Sequence, residues 1–323
     1  MAARTVPANA GTDRRLRVAM LLIVAAAALV APFVAYPIFL MNVLCLALFA
    51  SAFNLLIGFV GLLSFGHAAF YGGSAYVAAY AAKAWGWPPE LAILSGVAAA
   101  ALLGLAFGYL AIRRQGIYFS MITLALAQMV FFICLQVPFT SGEDGLQGVP
   151  RGRLFGLLPL NDNLTLYFVV LAIVVAGHLF IWRIVHSPFG NILKAIRDNE
   201  PRAISLGYNA DSYKLRAFVQ SAALSGLAGS TNALVFQLAT LSGVAWHTSG
   251  EVILMTLLGG IGTLVGPPIG AAIVIGLQTQ LAGVDFPVTV LIGFIFVACV
   301  LTFRRGIAGE VIQRIRNRAA PRD

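Results

Sequence analysis

A serine and a histidine one helical turn apart interrupt an apolar stretch of this chain. Ser64 and His67 lie in GFVGLLSFGHAAFYGGSAYVA, residues 58–78, and a serine beside a histidine is a potential nucleophile and base. No carboxylate within the stretch can orient the histidine, since the nearest acids, Asp13 and Glu90, are remote in sequence. We therefore disfavour a catalytic pair at this position.

His67 then has two other interpretations. A polar group in apolar surroundings needs a partner or water, so His67 is expected either to hydrogen-bond to another helix or to line a polar path. Gln128, inside the apolar run 117–139, has the same two interpretations. Gly66 precedes the histidine and marks a break between two short apolar segments.

The sequence argues against nucleotide hydrolysis by this chain and against a metal site. A Walker A loop ends in Gly-Lys-Ser/Thr, but the three lysines follow Ala82, Leu193 and Tyr213. The three cysteines fall in apolar runs without a C-x-x-C pair, which favours packing roles. We expect no bound cofactor.

Composition indicates the elements that must position these residues. Of the 323 residues, 60% are hydrophobic and only 10% are charged, which excludes an ordinary soluble domain. Apolar runs of about 18 residues or more recur and can cross a bilayer as helices. The fold class is therefore an all-α polytopic membrane protein.

The net charge of +9 does not indicate nucleic-acid binding, because the basic residues cluster beside the apolar runs. With both termini in the cytoplasm, 18 of the 21 Lys and Arg residues lie inside, as the positive-inside rule requires. The predicted crossings are 18–39, 40–59, 68–82, 91–112, 117–137, 164–182, 217–239 and 287–303. Segment 247–284 must cross an even number of times, which gives eight or ten spans.

Segment 247–284 contains the second glycine-rich break. The residues that divide it include Gly259, Gly260, Gly262, Gly266 and Pro267. Two short helices in a broken or re-entrant hairpin fit this pattern. One such break in each half of the chain is typical of transporters. We predict a single transmembrane domain over 18–303, between basic cytoplasmic tails at 1–17 and 304–323.

Two polar loops lie on opposite predicted sides. The external loop 138–163 contains the glycine-rich TSGEDGLQGVPRGRLFG and is either a connector or an outer mouth where a soluble delivery protein docks. The cytoplasmic segment 186–217 has apolar residues at helical spacing from Phe189 to Ile196, which predicts an amphipathic helix. This segment is either an interfacial loop held to anionic lipid or a docking element for a driving partner.

Caps favour the docking interpretation of the cytoplasmic segment, because a helix fixed at both ends can transmit a push. Asn199 is predicted to cap a second short helix containing Pro201. Gly207 is predicted to close that helix in the left-handed conformation. Asp211 or Ser212 is predicted to cap the next span.

Four stretches together resemble the permease subunits of branched-chain amino-acid ABC importers, the LivM type. They are NLLIGFVGLLSFGHAAFYGGSAY, SGEDGLQGVP, SPFGNILKAIRDNEPRAISLGYNADSYKLRAF and GGIGTLVGPPIGA, and they occur in the family's order. The resemblance covers about residues 40–305. It implies a bacterial inner-membrane permease that works with a second permease, two ATPase subunits and a periplasmic substrate-binding protein, with ATP bound by the partner chains.

The resemblance also assigns candidate sites. Segment 187–214 matches the ATPase-coupling region, although it departs from the general importer motif Glu-Ala-Ala-x3-Gly, with Glu200 one position early. The coupling candidates are Lys194, Arg197, Asp198, Asn199, Glu200, Arg202, Ala203, Gly207 and Tyr208. The path or helix-break candidates are Ser64, Gly66, His67, Gln128, Gly259, Gly260, Gly262, Gly266 and Pro267.

The function predicted from the sequence is inward transport of branched-chain or other hydrophobic amino acids, driven by ATP hydrolysis on partner chains. One alternative is the same machine carrying urea, short amides or another small polar solute. Alternatives of other classes are a passive channel and a membrane enzyme using Ser64 and His67.

Overall fold

A computed structural model describes residues 29–33, 35–156 and 158–281, and the isolated positions 290, 293, 297, 306 and 310. The helices it defines between 37 and 281 are α1 (Pro37–Phe59), α2 (His67–Lys83), α3 (Pro89–Ala111), α4 (Ile117–Gln136), α5 (Asn163–Val185), α6 (Pro188–Asp198), α7 (Glu200–Ser205), α8 (Ala210–Phe236), α9 (Trp246–Gly259) and α10 (Gly266–Leu281). The predicted N-terminal tail lies outside the described residues, as do most of the C-terminal tail 304–323 and most of the predicted spans 18–39 and 287–303.

The prediction of an all-α polytopic membrane protein is confirmed. Among the described helices, α1, α3, α4 and α5 are long and apolar enough to cross a membrane. The strands are only two residues long: β1 (Leu146–Gln147) pairs antiparallel with β4 (Leu238–Ala239), and β2 (Arg153–Leu154) with β3 (Leu158–Pro159). Short 3₁₀ turns lie at Pro138–Thr140, Gly142–Asp144 and Leu241–Gly243.

Helix α8 is the central helix of the described bundle and packs against α1, α2 and α3. Small residues make this packing close. A Cβ added to Gly104 or Gly226 would overlap the Cβ of Ala222 or Ala100 on the facing helix. Without water to drive helices together, close contact between small residues is a principal source of packing energy in membranes.

Segment 247–284 forms the expected broken hairpin. Helices α9 and α10 contact each other along their length and flank the turn 260–265. Each is shorter than the roughly 20 residues that a full crossing needs. Helix α10 begins at Gly266 with Pro267 in its first turn, where a missing N–H has no consequence for the helix.

The loops gather at two ends of the bundle. Loops 60–66, 112–116, 186–209 and 260–265 meet at what we name the coupling end, where Gln115 bonds to Glu200 and Arg197 to Gly58. Loops 84–88, 137–162 and 237–245 meet at the opposite end, which we name the outer end, where Lys83 bonds to Gln147 and β1 pairs with β4. This grouping agrees with the grouping inferred from the charges.

Candidate functional site

The two glycine-rich breaks lie against each other at the coupling end. Asn54 Nδ2 donates to the carbonyl of Thr263 at 2.8 Å, and Asn54 Oδ1 accepts from the backbone N–H of Gly262 at 2.9 Å. A Cβ on Gly58 would lie 2.6 Å from the nitrogen of Gly262, so only glycine permits this approach. We name residues 58–66 and 259–266 together the glycine junction.

The predicted break residues have distinct roles in the glycine junction. Gly260 (φ 120°) and Gly262 (φ 74°) adopt positive φ, which turns the chain between α9 and α10. Gly259 and Gly266 face each other so closely that a Cβ on Gly259 would overlap the carbonyl of Gly266. Sequence reasoning missed Asn54, whose signal was an amide side chain inside the apolar span 40–59.

His67 is a fully buried connection between helices. Its Nε2 lies 2.9 Å from Ser221 Oγ on α8, and that hydroxyl donates to the carbonyl of Ala52 on α1 at 2.6 Å. Because the single hydroxyl proton of Ser221 is used on Ala52, the histidine Nε2 must carry a proton and donate. His67 thus joins α2, α8 and α1, and the rings of Phe53, Phe70 and Phe218 surround it.

Ser64 does not pair with His67 as a nucleophile would pair with a base. Its Oγ accepts from the backbone N–H of Gly66 at 3.1 Å, so it caps the turn before α2. Both side chains are fully buried. Ser64 and His67 therefore bond to different partners and do not form the pair that the enzyme alternative assumed.

Gln128 lies elsewhere, on α4. Its side chain is half-buried, and it sits on the same helix face as exposed Met121 and Phe132. Within residues 29–281, no described hydrogen bond uses the Gln128 amide. The structure therefore does not bring Gln128 together with His67.

An apolar cavity of about 450 Å³ opens between the glycine junction and the start of α4. Its lining is apolar except for Ser120 and backbone groups. The lining residues are Gly61, Leu62, Leu63, Phe65, Gly116, Ile117, Phe119, Ser120, Met121 and Leu124. Such a lining can hold apolar groups but offers few polar ones.

Two basic residues of α6 connect residues 186–209, which we name the polar segment, to the bundle. Arg197 Nη1 donates to the carbonyl of Gly58, and its Nη2 pairs with Asp198 at 2.9 Å. Its aliphatic stem crosses Gly61, where a Cβ would lie 2.9 Å from Arg197 Cγ. Lys194 Nζ donates to the carbonyl of Val185 at 3.1 Å. Both side chains therefore bond to carbonyls near helix ends, Gly58 in α1 and Val185 in α5.

Caps hold the polar segment as a stiff unit. Ser187 caps α6 by accepting from Gly190 N, and Asn199 caps α7 by accepting from Arg202 N, as predicted for Asn199. Gly207 has φ 90° and donates to Ile204 O, while Tyr208 N donates to Ala203 O. These two bonds form a Schellman motif.

The predicted cap of the next span was wrong. Neither Asp211 nor Ser212 caps α8; Asn209 does, because its Oδ1 accepts from Ser212 N and the helix already begins at Ala210. An asparagine two positions after a closing glycine was the sequence signal. Helix α8 therefore begins inside the predicted polar loop and carries Lys214 within it.

Glu200 links α7 to two other elements. One carboxylate oxygen pairs with Lys214 Nζ on α8, and the other accepts from Gln115 Nε2 at 2.8 Å. Lys214 is only 2% exposed, so removal of Glu200 would leave a buried cation without its partner. Glu200 therefore connects the polar segment to both α8 and the loop before α4.

An exposed apolar patch lies at the end of α7 and in the turn that follows it. Ile204, Leu206 and Tyr208 are 55%, 69% and 40% exposed, and Arg202 is exposed beside them. Ala203, a coupling candidate, is buried at 3% against Ile196 and Ala210, so its side chain is closed to a partner. Sequence reasoning missed Ile204 and Leu206, which form the apolar part of this surface.

The outer end is held mainly by bonds to backbone groups. Arg151 donates to the carbonyl of Val235 at 2.7 Å and to Asn163 Oδ1 at 3.0 Å. Lys83 Nζ donates to the carbonyl of Gln147 at 2.7 Å. Asp162 caps α5 by accepting from Thr165 N, and this bond lowers the pKa of the Asp162 carboxyl below its ordinary value.

Metal ligation finds no support in the described part of the chain. Within it, no group of three His, Cys, Asp or Glu side chains is arranged to hold an ion.

Comparison with known proteins gives consistent results. The profile of the family described as "Branched-chain amino acid transport system / permease component" matches residues 36–301. The high-affinity branched-chain amino acid transport system permease protein LivM of Salmonella typhimurium is 29% identical over 55% of this chain and 47% of its own length. LivM of Escherichia coli K12 is 30% identical over the same shares.

The chain spans about half the length of these curated relatives. No solved structure matches significantly.

Proposed function

Since this chain belongs to the permease family of branched-chain amino acid transport systems, we propose that it is the membrane-spanning permease of an ATP-driven importer for branched-chain amino acids. In this proposal a second permease completes the path, two ATPase subunits supply the energy, and a periplasmic protein delivers the amino acid. The machine lies in the bacterial inner membrane. The coupling end faces the cytoplasm, and the outer end faces the delivery protein.

One observation carries this proposal: Arg197 joins the polar segment to the glycine junction. The exposed Ile204, Leu206 and Tyr208 offer an apolar surface for an ATPase. The Schellman motif and caps make α6 and α7 stiff enough to transmit a displacement. Arg197 then carries that displacement to Gly58, where both breaks meet and helices can rearrange without breaking regular hydrogen bonds.

The bonds of Asn54 explain how the chain can leave helical geometry between the two short helices α9 and α10. A backbone that leaves helical geometry inside a membrane must find partners in the protein. Asn54 supplies both a donor and an acceptor to the turn 260–265. Thr263 adds bonds within the turn, to the carbonyl of Gly260 and from the N–H of Gly266. A change of conformation at the turn must therefore break or remake the bonds to Asn54.

Co-purification tests the class of machine. A tagged chain is extracted in mild detergent from cells that express the neighbouring genes. The expected result is recovery with two ATPases and a second permease. Recovery of the single chain, together with solute flux through liposomes that contain it alone and no ATP, would instead support the passive channel.

Uptake tests the substrate. The purified complex is placed in liposomes with internal ATP, and the delivery protein is added outside with radiolabelled L-leucine or urea. ATP-dependent leucine uptake supports the proposal, whereas urea uptake without leucine uptake contradicts it.

A further inference from the structure

The apolar cavity at the coupling end is open to the surroundings of the bundle. Ile117 and Met121 of α4 line it, and they are 76% and 61% exposed. Its volume of about 450 Å³ is roughly three times that of a cavity of about 150 Å³ that binds benzene. We name this cavity the α4 groove. It is large enough for a stretch of hydrocarbon chain, and it lies on a helix that can cross a membrane.

The polar groups of the α4 groove are largely engaged within the protein. Ser120, whose hydroxyl belongs to the lining, donates to the carbonyl of Leu63 at 2.7 Å. The N–H of Phe65 donates to Thr123 Oγ1 at 3.1 Å. An amino acid inserted here would find few partners for its ammonium group and its carboxylate, which is costly. A hydrocarbon chain needs no such partners and suits the lining.

Two arginines without acidic partners lie beside the α4 groove. Arg113 and Arg114 precede the lining residue Gly116 by three and two positions, so their backbones lie within about 11 Å of it. Both are exposed, and the ion pairs among the described residues involve two other basic residues, Arg197 and Lys214. The rim of the groove therefore carries two positive charges that can bind an anion.

Exposed tyrosines indicate that this rim lies at the level of the lipid headgroups. Tyr109 and Tyr118 flank the two arginines in sequence, and both are largely exposed. The Arg113 guanidinium lies 5.3 Å from the centroid of the Tyr109 ring, which is within the range of a cation–π contact. Tyrosines are enriched where a membrane meets water. The α4 groove, lined as far as Leu124, therefore extends from the headgroup level toward the hydrocarbon.

We propose that the α4 groove binds an anionic phospholipid, with part of an acyl chain in the groove and the phosphate on Arg113 and Arg114. Basic residues beside membrane helices commonly bind anionic headgroups. The groove alone would accept the chain of any lipid, and the arginines alone would attract any anion. Together they select a phospholipid with a net negative charge. This inference goes beyond the proposed function and does not depend on it.

The bound lipid would contact the glycine junction. Gly61 and Phe65 belong both to the junction and to the lining of the α4 groove. A Cβ on Gly61 would lie 2.9 Å from Arg197 Cγ, so the same loop also packs against the arginine that holds Gly58. An anionic lipid should therefore stabilise this loop and raise the thermal unfolding midpoint of the chain.

Binding of defined lipids to the full-length chain tests this proposal. The chain is extracted in detergent with any partners that it retains, and bound dioleoylphosphatidylglycerol or dioleoylphosphatidylcholine is measured by native mass spectrometry. We expect the anionic lipid to bind about tenfold more tightly or better, because each arginine at an anionic lipid surface contributes about a fivefold factor. Arg113→Gln with Arg114→Gln should lose this preference. The charge-matched control is Arg153→Gln with Arg183→Gln, which removes two exposed arginines outside the groove and should keep it.

A change in the groove distinguishes a lipid site from general surface charge. Met121→Trp fills the lip of the α4 groove without altering charge and should displace the anionic lipid. Its matched control is Met129→Trp, an exposed position on the same helix outside the lining, which should retain the lipid. Glycerol 3-phosphate carries the phosphate without acyl chains and should not compete at the concentration of the lipid.

Several results would overturn the lipid site. They are equal binding of the two lipids by the wild-type chain, loss of the preference in the Arg153 and Arg183 control, retention of the lipid by Met121→Trp, and competition by glycerol 3-phosphate. Should Met121→Trp fail to fold, the wild-type chain is titrated with dihexanoylphosphatidylglycerol, which should bind at least about tenfold more weakly because its chains are short. Equal binding of the short and long lipids would then overturn the proposal.

Discussion

At the two ends of the bundle, polar groups hold the helices together in different ways. At the outer end, strands β1 and β4 pair through their backbones, and Lys83 and Arg151 add bonds to backbone carbonyls. At the coupling end, single side chains connect elements that have no backbone pairing: Arg197 reaches Gly58, and Asn54 holds the turn 260–265.

The outer end is therefore held closed by backbone bonds, whereas the coupling end can transmit movement. Backbone pairs persist when side chains change, so the outer loop should tolerate substitution. Each connection at the coupling end depends on one or two side chains, so a local displacement there reaches both breaks, and one substitution can disconnect them.

The largest expected effect comes from the contact between the breaks. Gly58→Ala places a Cβ against the backbone of Gly262 and Asn54 Oδ1, and overpacking of this kind costs about 1–3 kcal/mol. We expect leucine uptake to be lost and the thermal unfolding midpoint to fall. Gly276→Ala is the matched control, because its Cβ meets no described atom within 4 Å. Equal behaviour of the two variants would show that the junction is loosely packed.

The second effect is expected at the hydrogen bond between His67, the first residue of α2, and Ser221 of α8. Ser221→Ala leaves the buried Nε2 proton of His67 without its partner, at a cost of about 1–3 kcal/mol. It also removes a second bond to the carbonyl of Ala52, which keeps its bond within α1. The unfolding midpoint should fall. His67→Ala combined with Ser221→Ala should destabilise by less than the sum of the single changes. Simple additivity would contradict the hydrogen bond. Under the enzyme alternative, His67→Ala would abolish a chemical activity instead.

A smaller effect is expected at the end of α7. Gly207 has φ 90°, and a β-branched residue in this conformation costs roughly 1–2 kcal/mol. Gly207→Val should therefore loosen α7 and lower the amount of leucine moved per ATP hydrolysed. Gly207→Asn is the control, since asparagine tolerates the left-handed region. A Cβ meets no described atom there, so a loss confined to valine identifies backbone strain as the cause.

The smallest effect is expected at the outer end. Asp162→Ala removes the exposed cap of α5, and backbone pairing should keep the loop in place. Because the folded pKa of Asp162 is lowered, its stabilising effect is present above the ordinary pKa of 3.8 and disappears as pH falls through the folded value. The small difference in unfolding midpoint between variant and wild type should therefore vanish under strong acid. A larger effect than that of Gly207→Val would contradict the comparison of the two ends.

The lengths of the apolar runs and a few residues with distinctive local chemistry predicted much of this fold. Apolar run lengths located the long helices, and Gly207 and Asn199 indicated the closing turn and cap because their local chemistry is distinctive. Local patterns could not show that Asn54 bonds to a turn some two hundred positions later, or that Arg197 turns back onto Gly58. Those contacts depend on how helices pack together, and a single arginine or asparagine has many possible partners before packing selects one.

The candidate site was predictable in part for the same reason. The sequence identified both breaks but could not show that they touch, since the approach depends on a glycine on each side.

The ratio of leucine imported to ATP hydrolysed, measured in reconstituted complexes of wild type, Arg197→Ala and Arg183→Ala, tests the connection at the coupling end most directly. Arg183 is an exposed arginine near the same end, without a described hydrogen bond, and serves as the matched control. The loss of a charge-assisted bond of about 1.5–3 kcal/mol predicts a ratio roughly tenfold lower for Arg197→Ala, with ATP hydrolysis continuing and Arg183→Ala unchanged. An unchanged ratio in Arg197→Ala would contradict the account.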